Sequence, residues 1–202
     1  MSTDAQLATF RRQVRRQYGV VSLEQARAAG YSRQAVARKV AARAWFPAGP
    51  RVYQVAEHDE TPRSRCVAAL LSLGPDATLV DTSAAWWWGL RDAAPGRPHA
   101  AVPPDRHPRP RADVAVSRRA IDPIDRTRVA GIAVTTRALT VLDTATVLGL
   151  EDGARVADRA LQKGSVSIES LRDAHTAGRR TPRSSCRATG ARSATWCSRR
   201  GR

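Results

Sequence analysis

The chain has 202 residues, 42% of them hydrophobic, with 34 Lys and Arg against 18 Asp and Glu, so its formal net charge is +16. This length accommodates one domain or two small ones with a buried core. The sequence contains neither an apolar run near the roughly 20 residues of a membrane span nor the apolar core of a signal peptide. We therefore expect a cytoplasmic protein with no membrane contact.

The charge is distributed unevenly along the chain. Residues 1–55 carry ten Lys and Arg against two acids, residues 56–175 carry sixteen of each, and residues 176–202 carry eight and no acid. Arg outnumbers Lys by 32 to 2, which is typical of a GC-rich bacterial genome, but codon bias does not explain the missing acids. A basic N-terminal segment favours a nucleic-acid partner, because binding to phosphates releases counterions.

The first predicted helix covers residues 4–17. Leu7, Phe10 and Val14 fall on one face of it, which we expect to pack under the elements that follow. The remaining surface is basic, and its side chains are expected to be solvated or to touch phosphates. These basic residues are Arg11, Arg12, Arg15 and Arg16.

Two short helices joined by a tight turn are predicted next. Ser22 precedes the first helix and Gln25 follows three residues later, which is the pattern of a capping box. Gly30 supplies a left-handed turn, and Ser32 caps a second helix over residues 33–44. Residues 45–55 then read as two strands around a turn. This order of elements is that of a winged helix-turn-helix.

The second of these helices has the two faces of a DNA-recognition helix. Val36 and Val40 form an aliphatic stripe, and the opposite face carries Gln34, Arg38 and Ala41. Gln and Arg make paired hydrogen bonds to base edges in a major groove. The predicted DNA contacts are Gln34 and Arg38 for bases, Arg33 and Lys39 for phosphates, Ser32 at the helix start, and Arg51 near the tip of the wing. The alternative is a small helical domain whose arginines keep it soluble.

These patterns predict an α+β fold, with an N-terminal winged helix-turn-helix, a small mixed α/β domain and a disordered basic tail. The winged helix-turn-helix is assigned to residues 1–56, a linker to 57–62, the second domain to 63–175 and the tail to 176–202. The predicted helices of the second domain cover residues 63–73, 84–90, 138–148, 151–163 and 168–171. Its predicted strands cover residues 99–102, 112–116 and 129–134.

Three consecutive tryptophans, residues 86–88, lie in the short helix over residues 84–90. Successive side chains point about 100° apart around a helix, so the three cannot all face one core. One interpretation is an aromatic anchor in the core with a partly covered neighbour. The other is a partner-binding surface that includes Trp86 and Trp87, because exposed Trp is enriched at interface hot spots.

The sequence indicates neither a catalytic site nor a metal site. Asp143 is an isolated carboxylate in an apolar helix, and we expect it to bond a neighbouring backbone group or Arg. The three cysteines form no CxxC pair, and His175, Cys186 and Cys197 lack the spacing of a zinc finger or ribbon. We expect a protein that is not an enzyme and that needs no cofactor.

After Leu171 the sequence has no Val, Ile, Leu, Met, Phe or Tyr. Such a segment cannot bury a core, and we expect it to be disordered. It is either a basic arm that strengthens DNA binding or a frameshift product, since its mixture of Arg, Ser, Thr, Cys and Trp resembles GC-rich DNA read out of frame. An intact alternative reading frame in the gene would support the second interpretation.

Three segments resemble antitoxins of the AbiEi type, a bacterial winged-helix family of type IV toxin-antitoxin systems. They are GVVSLEQARAAGYSRQAVARKVAARAWFPAGPRVYQVA in the N-terminal part, then DTSAAWWWGL and GIAVTTRALTVLDTA, which are similar to the following domain of actinobacterial members. The resemblance covers roughly residues 15–175. It implies a head that binds double-stranded DNA at its own promoter and represses its own operon, and a second domain that counteracts a nucleotidyltransferase-like toxin encoded by an adjacent gene.

The chain departs from the family pattern in its wing, where residues 46–50 replace the more usual basic residues. Two other functions stay open. Proteins of similar arrangement carry a domain like the very-short-patch-repair endonucleases after the helix at residues 168–171, so this chain could be a relative that has lost its nuclease and the metal-binding carboxylates it needs. A pure protein-interaction module is the third hypothesis.

Overall fold

The computed structural model describes residues 3–180 and shows a mixed α+β protein with two sheets. The N-terminal unit contains α1 (Thr3–Arg16), β1 (Val20–Ser22), α2 (Leu23–Ala28), α3 (Arg33–Ala41), β2 (Trp45–Gly49) and β3 (Val52–Val55). Its three strands are antiparallel in the order β1-β3-β2. This is the connectivity of a winged helix, as the sequence predicts, with β1 added as a third strand.

The hydrophobic stripes of the first three helices meet in one core. Phe10 and Val14 of α1, Ala26 of α2 and Val36 of α3 are buried around Trp45 at the start of β2. The Phe10 and Trp45 rings are stacked, with centroids 6.3 Å apart. The arginines of α1 lie on the opposite, exposed side of that helix.

One boundary in this unit differs from the prediction by three residues. Helix α3 ends at Ala41, three residues before the predicted end at residue 44. Arg43 adopts a left-handed conformation with a φ of 56°, which a continuing helix cannot contain. Nothing in the residue types around Arg43 indicates this turn.

The second unit begins with α4 (Pro62–Leu73), capped by Thr61. It continues with β4 (Thr78–Leu79), α5 (Asp81–Trp87), β5 (His99–Val102), β6 (Ala115–Arg118), β7 (Arg126–Val129) and β8 (Ile132–Thr135). Three helices follow: α6 (Arg137–Leu148), α7 (Leu150–Gln162) and α8 (Ile168–Arg180). The strands form a sheet in the order β6-β5-β4-β8-β7, in which the pairs β5–β6 and β4–β8 are parallel.

The predicted strand over residues 129–134 is wrong, because these residues form a hairpin. β7 and β8 pair antiparallel through a turn at Ala130 and Gly131, whose φ angles are 52° and 83°. Two consecutive positive φ angles are the geometry of the tight turn that joins twisted antiparallel strands. Alanine does not favour that geometry, so the turn is not evident from the residue types.

Other second-unit elements shift by a few residues. α5 begins at Asp81 rather than residue 84, because the Ser83 hydroxyl does not cap the helix and instead accepts a hydrogen bond of 2.9 Å from the backbone N–H of His99. β6 lies at 115–118 rather than 112–116, since Asp113 is held in the preceding loop by an ion pair with Arg111.

The last helix is longer than the predicted segment of residues 168–171. α8 continues to Arg180, because Ala174 is buried and supplies an apolar contact beyond Leu171. The first residues of the predicted tail are therefore helical. The rest of the predicted disordered tail, residues 181–202, lies outside the described residues.

The two units share a continuous core. Val20 and Val52 of the N-terminal sheet are fully buried against Cys66, Val67 and Leu70 of α4. The predicted linker at residues 57–62 thus leads directly into a helix that packs on the wing sheet.

Among the described helices, none combines the length and the apolar character that a membrane span requires.

Candidate nucleic-acid interface

Local hydrogen bonds fix the two helices of the helix-turn-helix. The backbone N–H of Gln25 donates to Ser22 Oγ at 3.2 Å, and the backbone N–H of Ser22 donates to Gln25 Oε1 at 3.0 Å, which completes the predicted capping box. Gly30 has a φ of 92°, as the turn requires. Ser32 Oγ then accepts from the N–H of Ala35 at 3.1 Å and starts α3.

The outer face of α3 is available for a ligand. Val36 anchors the inner face and is 2% exposed. Arg33, Gln34 and Arg38 are exposed, and within the described part of the chain none of their side chains makes a hydrogen bond or ion pair. Exposed side chains without an internal partner can bind base edges or phosphates without breaking a contact of the folded protein.

Ser32 and Lys39 have roles within the fold as well. The Ser32 oxygen accepts the capping bond, so its hydroxyl proton remains for an acceptor such as a phosphate. Lys39 is half-buried, and its Nζ lies 5.4 Å from the centre of the Tyr31 ring and 5.7 Å from that of Trp45. This cation–π packing holds the Lys39 ammonium beside the aromatic core of the unit.

Arg51 occupies the predicted place at the tip of the wing. It follows Pro50 in the turn between β2 and β3 and has a φ of 59°. One of its guanidinium nitrogens lies 3.3 Å from a carboxylate oxygen of Glu24 in the first turn of α2, and both side chains are mostly exposed. Exposed pairs of this kind contribute little to stability, so Arg51 can exchange Glu24 for a phosphate.

A basic loop that the sequence analysis did not single out lies beside this turn. Residues 103–114, between β5 and β6, carry Arg106, Arg109 and Arg111. Pro50 of the wing and Ser72 of α4 line a cleft of about 490 Å³ with these arginines. The basic character of this loop is visible in the sequence as the run RHPRPR, but its proximity to the wing is visible only in the folded protein.

The two predicted partner-binding tryptophans differ in accessibility. Trp87 is 4% exposed and belongs to the main core, whereas Trp86 is partly exposed. The Arg63 guanidinium lies over both rings, 4.9 Å from the centre of Trp87 and 5.5 Å from that of Trp86. If this helix binds a partner protein, Trp86 is therefore the tryptophan that contacts it. Trp87 is the aromatic anchor in the core.

A buried polar cluster contains Asp143. Its carboxylate accepts two hydrogen bonds from the Arg119 guanidinium, which confirms the expected structural bond to an Arg. The carboxylate of Asp81 also belongs to this cluster. Its Oδ2 lies 2.8 Å from His99 Nδ1, and its Oδ1 lies 3.7 Å from Arg119 Nη2. Burial raises the pKa of nearby Asp125, and the neighbouring carboxylates of Asp122 and Asp143 add to the effect.

The described residues contain no group of three or more His, Cys, Asp or Glu side chains arranged to hold a metal ion. Cys186 and Cys197 lie outside the described residues. Cys66 is buried in the core, where burial raises the pKa of its thiol to about 12. A thiol with so high a pKa is a poor metal ligand and a poor nucleophile.

The fold and this face define a winged-helix unit joined to a second α+β unit. No protein-family model matches the chain, and no curated protein sequence matches it significantly. Among solved structures, the chain is similar to the crystal structure of the RV2827C protein from Mycobacterium tuberculosis, with a TM-score of 0.52 and 18% sequence identity. The similarity covers 83% of this chain and 70% of that chain. At this identity it shows a shared fold.

Proposed function

We propose that this protein is a transcriptional regulator that binds double-stranded DNA at its own promoter through α3. The observation that carries the proposal is the outer face of α3, where Gln34 and Arg38 are exposed on a helix anchored by Val36. Gln pairs with adenine and Arg with guanine in the major groove. The regulator needs neither a cofactor nor a catalytic step, and it would work in the cytoplasm, on the nucleoid.

Charge supports the same assignment. The N-terminal 55 residues have a net charge of +8, and the exposed arginines of α1 lie in the same unit as α3. Arg11 and Arg15 are assigned to phosphates, which position a protein without reading sequence. Replacing either should lower the salt dependence of binding while leaving sequence preference unchanged.

The experiment is a gel-shift titration of the full chain on DNA from upstream of its own gene, with scrambled competitor, at two salt concentrations. Binding that survives the competitor supports a sequence-specific regulator. Binding that disappears with the competitor leaves only generic basicity and contradicts the proposal.

The resemblance to AbiEi-type antitoxins supplies the second half of the proposal. The second unit would bind a nucleotidyltransferase-like toxin encoded by an adjacent gene, with the partly exposed Trp86 as the aromatic contact. Co-expression with the neighbouring gene tests this half. Wild-type protein should relieve growth inhibition by the toxin, and Trp86→Ala should relieve it less. Equal relief by the variant would remove Trp86 from the interface.

A further inference from the structure

We infer that the loop of residues 103–114 is a second DNA-contact element, which supplies the positive charge that the wing lacks. This inference rests on the proposed function and names a further part of the same interface. The wing itself, β2, β3 and their turn, contains Arg51 as its single basic residue. A wing with so little charge would add little to phosphate binding on its own.

The loop is anchored to the wing by Arg111. Its side chain is 15% exposed and forms a two-pronged ion pair with Asp113. The guanidinium packs so closely on Gly49 at the end of β2 that a Cβ on this glycine would lie 3.1 Å from Arg111 Nη2. This contact places the loop directly beside the end of β2.

The other two arginines of the loop are exposed. Arg106 and Arg109 make no side-chain hydrogen bond or ion pair within the described residues. The carboxylate of Asp113 is neutralised by Arg111, so Asp105 is the remaining acid against Arg106 and Arg109. The outer surface of the loop has a net positive charge, which attracts a phosphate backbone.

Contacts in the fold connect this loop to the helix-turn-helix. Glu24 at the start of α2 contacts Arg51, and Pro50 next to Arg51 lines the cleft that Arg106 and Arg109 also line. In helix-turn-helix proteins the first helix of the motif crosses the DNA backbone while the second enters the major groove. We therefore expect the loop, which these contacts connect through the wing turn to α2, to lie along the same phosphate backbone as α2 when α3 enters the groove.

The test compares the full-length wild type with the double variant Arg106→Ala/Arg109→Ala. Binding to the upstream DNA and to scrambled DNA is measured across roughly 50 to 200 mM salt. Loss of two phosphate contacts should lower the slope of log affinity against log salt by about 2. Affinity should fall on both DNAs, while the preference for the upstream sequence stays the same. The lysine variant Arg106→Lys/Arg109→Lys should restore most of the slope.

The control is Arg155→Ala/Arg172→Ala, which removes the same charge from α7 and α8, helices that pack on α6 rather than on the wing. An unchanged slope in the loop variant, or an equal fall in the control, would overturn the loop inference even if the wild type binds its own upstream DNA selectively. If the wild type shows no sequence preference but the loop variant still loses slope, the proposed regulator falls and the loop contact stands. Absence of any DNA binding would overturn both.

Discussion

Arg119 and Asp143 form a two-pronged ion pair in the interior of the second unit. The Asp143 side chain is 1% exposed and that of Arg119 is 14% exposed. The two residues lie 24 positions apart in the chain, and the pair joins the segment after β6 to the middle of α6. Removing Asp143 would leave the guanidinium of Arg119 buried, with the more distant carboxylate of Asp81, 3.7 Å away, as an ion-pair partner.

Asp143→Ala should therefore lower the free energy of unfolding by about 3 kcal/mol, the lower end of the range for a broken buried pair, because Asp81 still compensates part of the charge. Urea denaturation followed by circular dichroism measures the change. The matched control is Asp92→Ala, which removes a similar pair with Arg159 in which the Asp92 side chain is 82% exposed. The control should have nearly the same free energy of unfolding as the wild type. Equal destabilisation of both variants would contradict a special role for the buried pair.

Asp125 should make the protein less stable as the pH rises through the acid range. Its pKa in the folded protein lies above its ordinary value of 3.8, chiefly because of burial. The folded state thus holds this proton more tightly than the unfolded chain does. The resulting stabilisation is present below pH 3.8 and is lost as the pH rises through the raised pKa.

Asp125→Asn should remove this contribution, so the urea midpoint of the variant should rise relative to that of the wild type as the pH increases over that range. Asp76→Asn, at an exposed position in the loop after α4, is the control and should behave as the wild type. If the wild type and Asp125→Asn show parallel pH profiles, Asp125 does not carry the effect.

Gly153 permits the close approach of α6 and α7. A Cβ at this position would lie 2.6 Å from the Cα and 2.8 Å from the Cβ of Ala145. Alanine normally gains about 1 kcal/mol over glycine inside a helix, but overpacking against a backbone atom costs about 1 to 3 kcal/mol. Gly153→Ala should therefore destabilise the protein in thermal unfolding. Gly96→Ala, where a Cβ meets nothing within 4 Å, should be neutral, and a stabilised Gly153→Ala would contradict the packing.

Cys66 should be chemically inert in the folded protein. Burial raises the pKa of its thiol to about 12, so almost none of it is thiolate at neutral pH. Iodoacetamide should label Cys66 only after unfolding in guanidinium, as measured by mass spectrometry that resolves the site. A cysteine introduced by Arg65→Cys, at an exposed neighbouring position, should react in the folded state. Rapid labelling of Cys66 without denaturant would show that the core around it opens.

The elements that were predicted correctly are those that contacts between residues close in the sequence determine. Ser22 with Gln25 and Ser32 with Ala35 are contacts within three residues, so the residue types alone indicate the start of α2 and α3. The start and faces of α3 were therefore predictable, together with exposed Gln34 and Arg38. The order of the three helices and the two wing strands followed from the same signals, whereas β1 was not predicted.

The parts that were missed depend on distant contacts or unusual backbone angles. The end of α3 and the β7–β8 turn use Arg43 and Ala130 in left-handed conformations that their residue types do not favour. β4 has two residues and shows no periodicity. The loop at residues 103–114 lies beside Gly49, which is more than 50 residues away in the sequence. No local sequence pattern indicates a contact of that kind.

The measurement that most directly tests the central claim compares the wild type with Arg38→Ala on the upstream DNA and on scrambled DNA at one salt concentration. Loss of a base contact should weaken binding to the upstream DNA by on the order of 1 to 3 kcal/mol and leave binding to scrambled DNA nearly unchanged. Arg172→Ala, on α8, is the charge-matched control and should keep the wild-type preference. Equal preference of Arg38→Ala and the wild type for the upstream DNA would contradict the docking of α3 in the major groove.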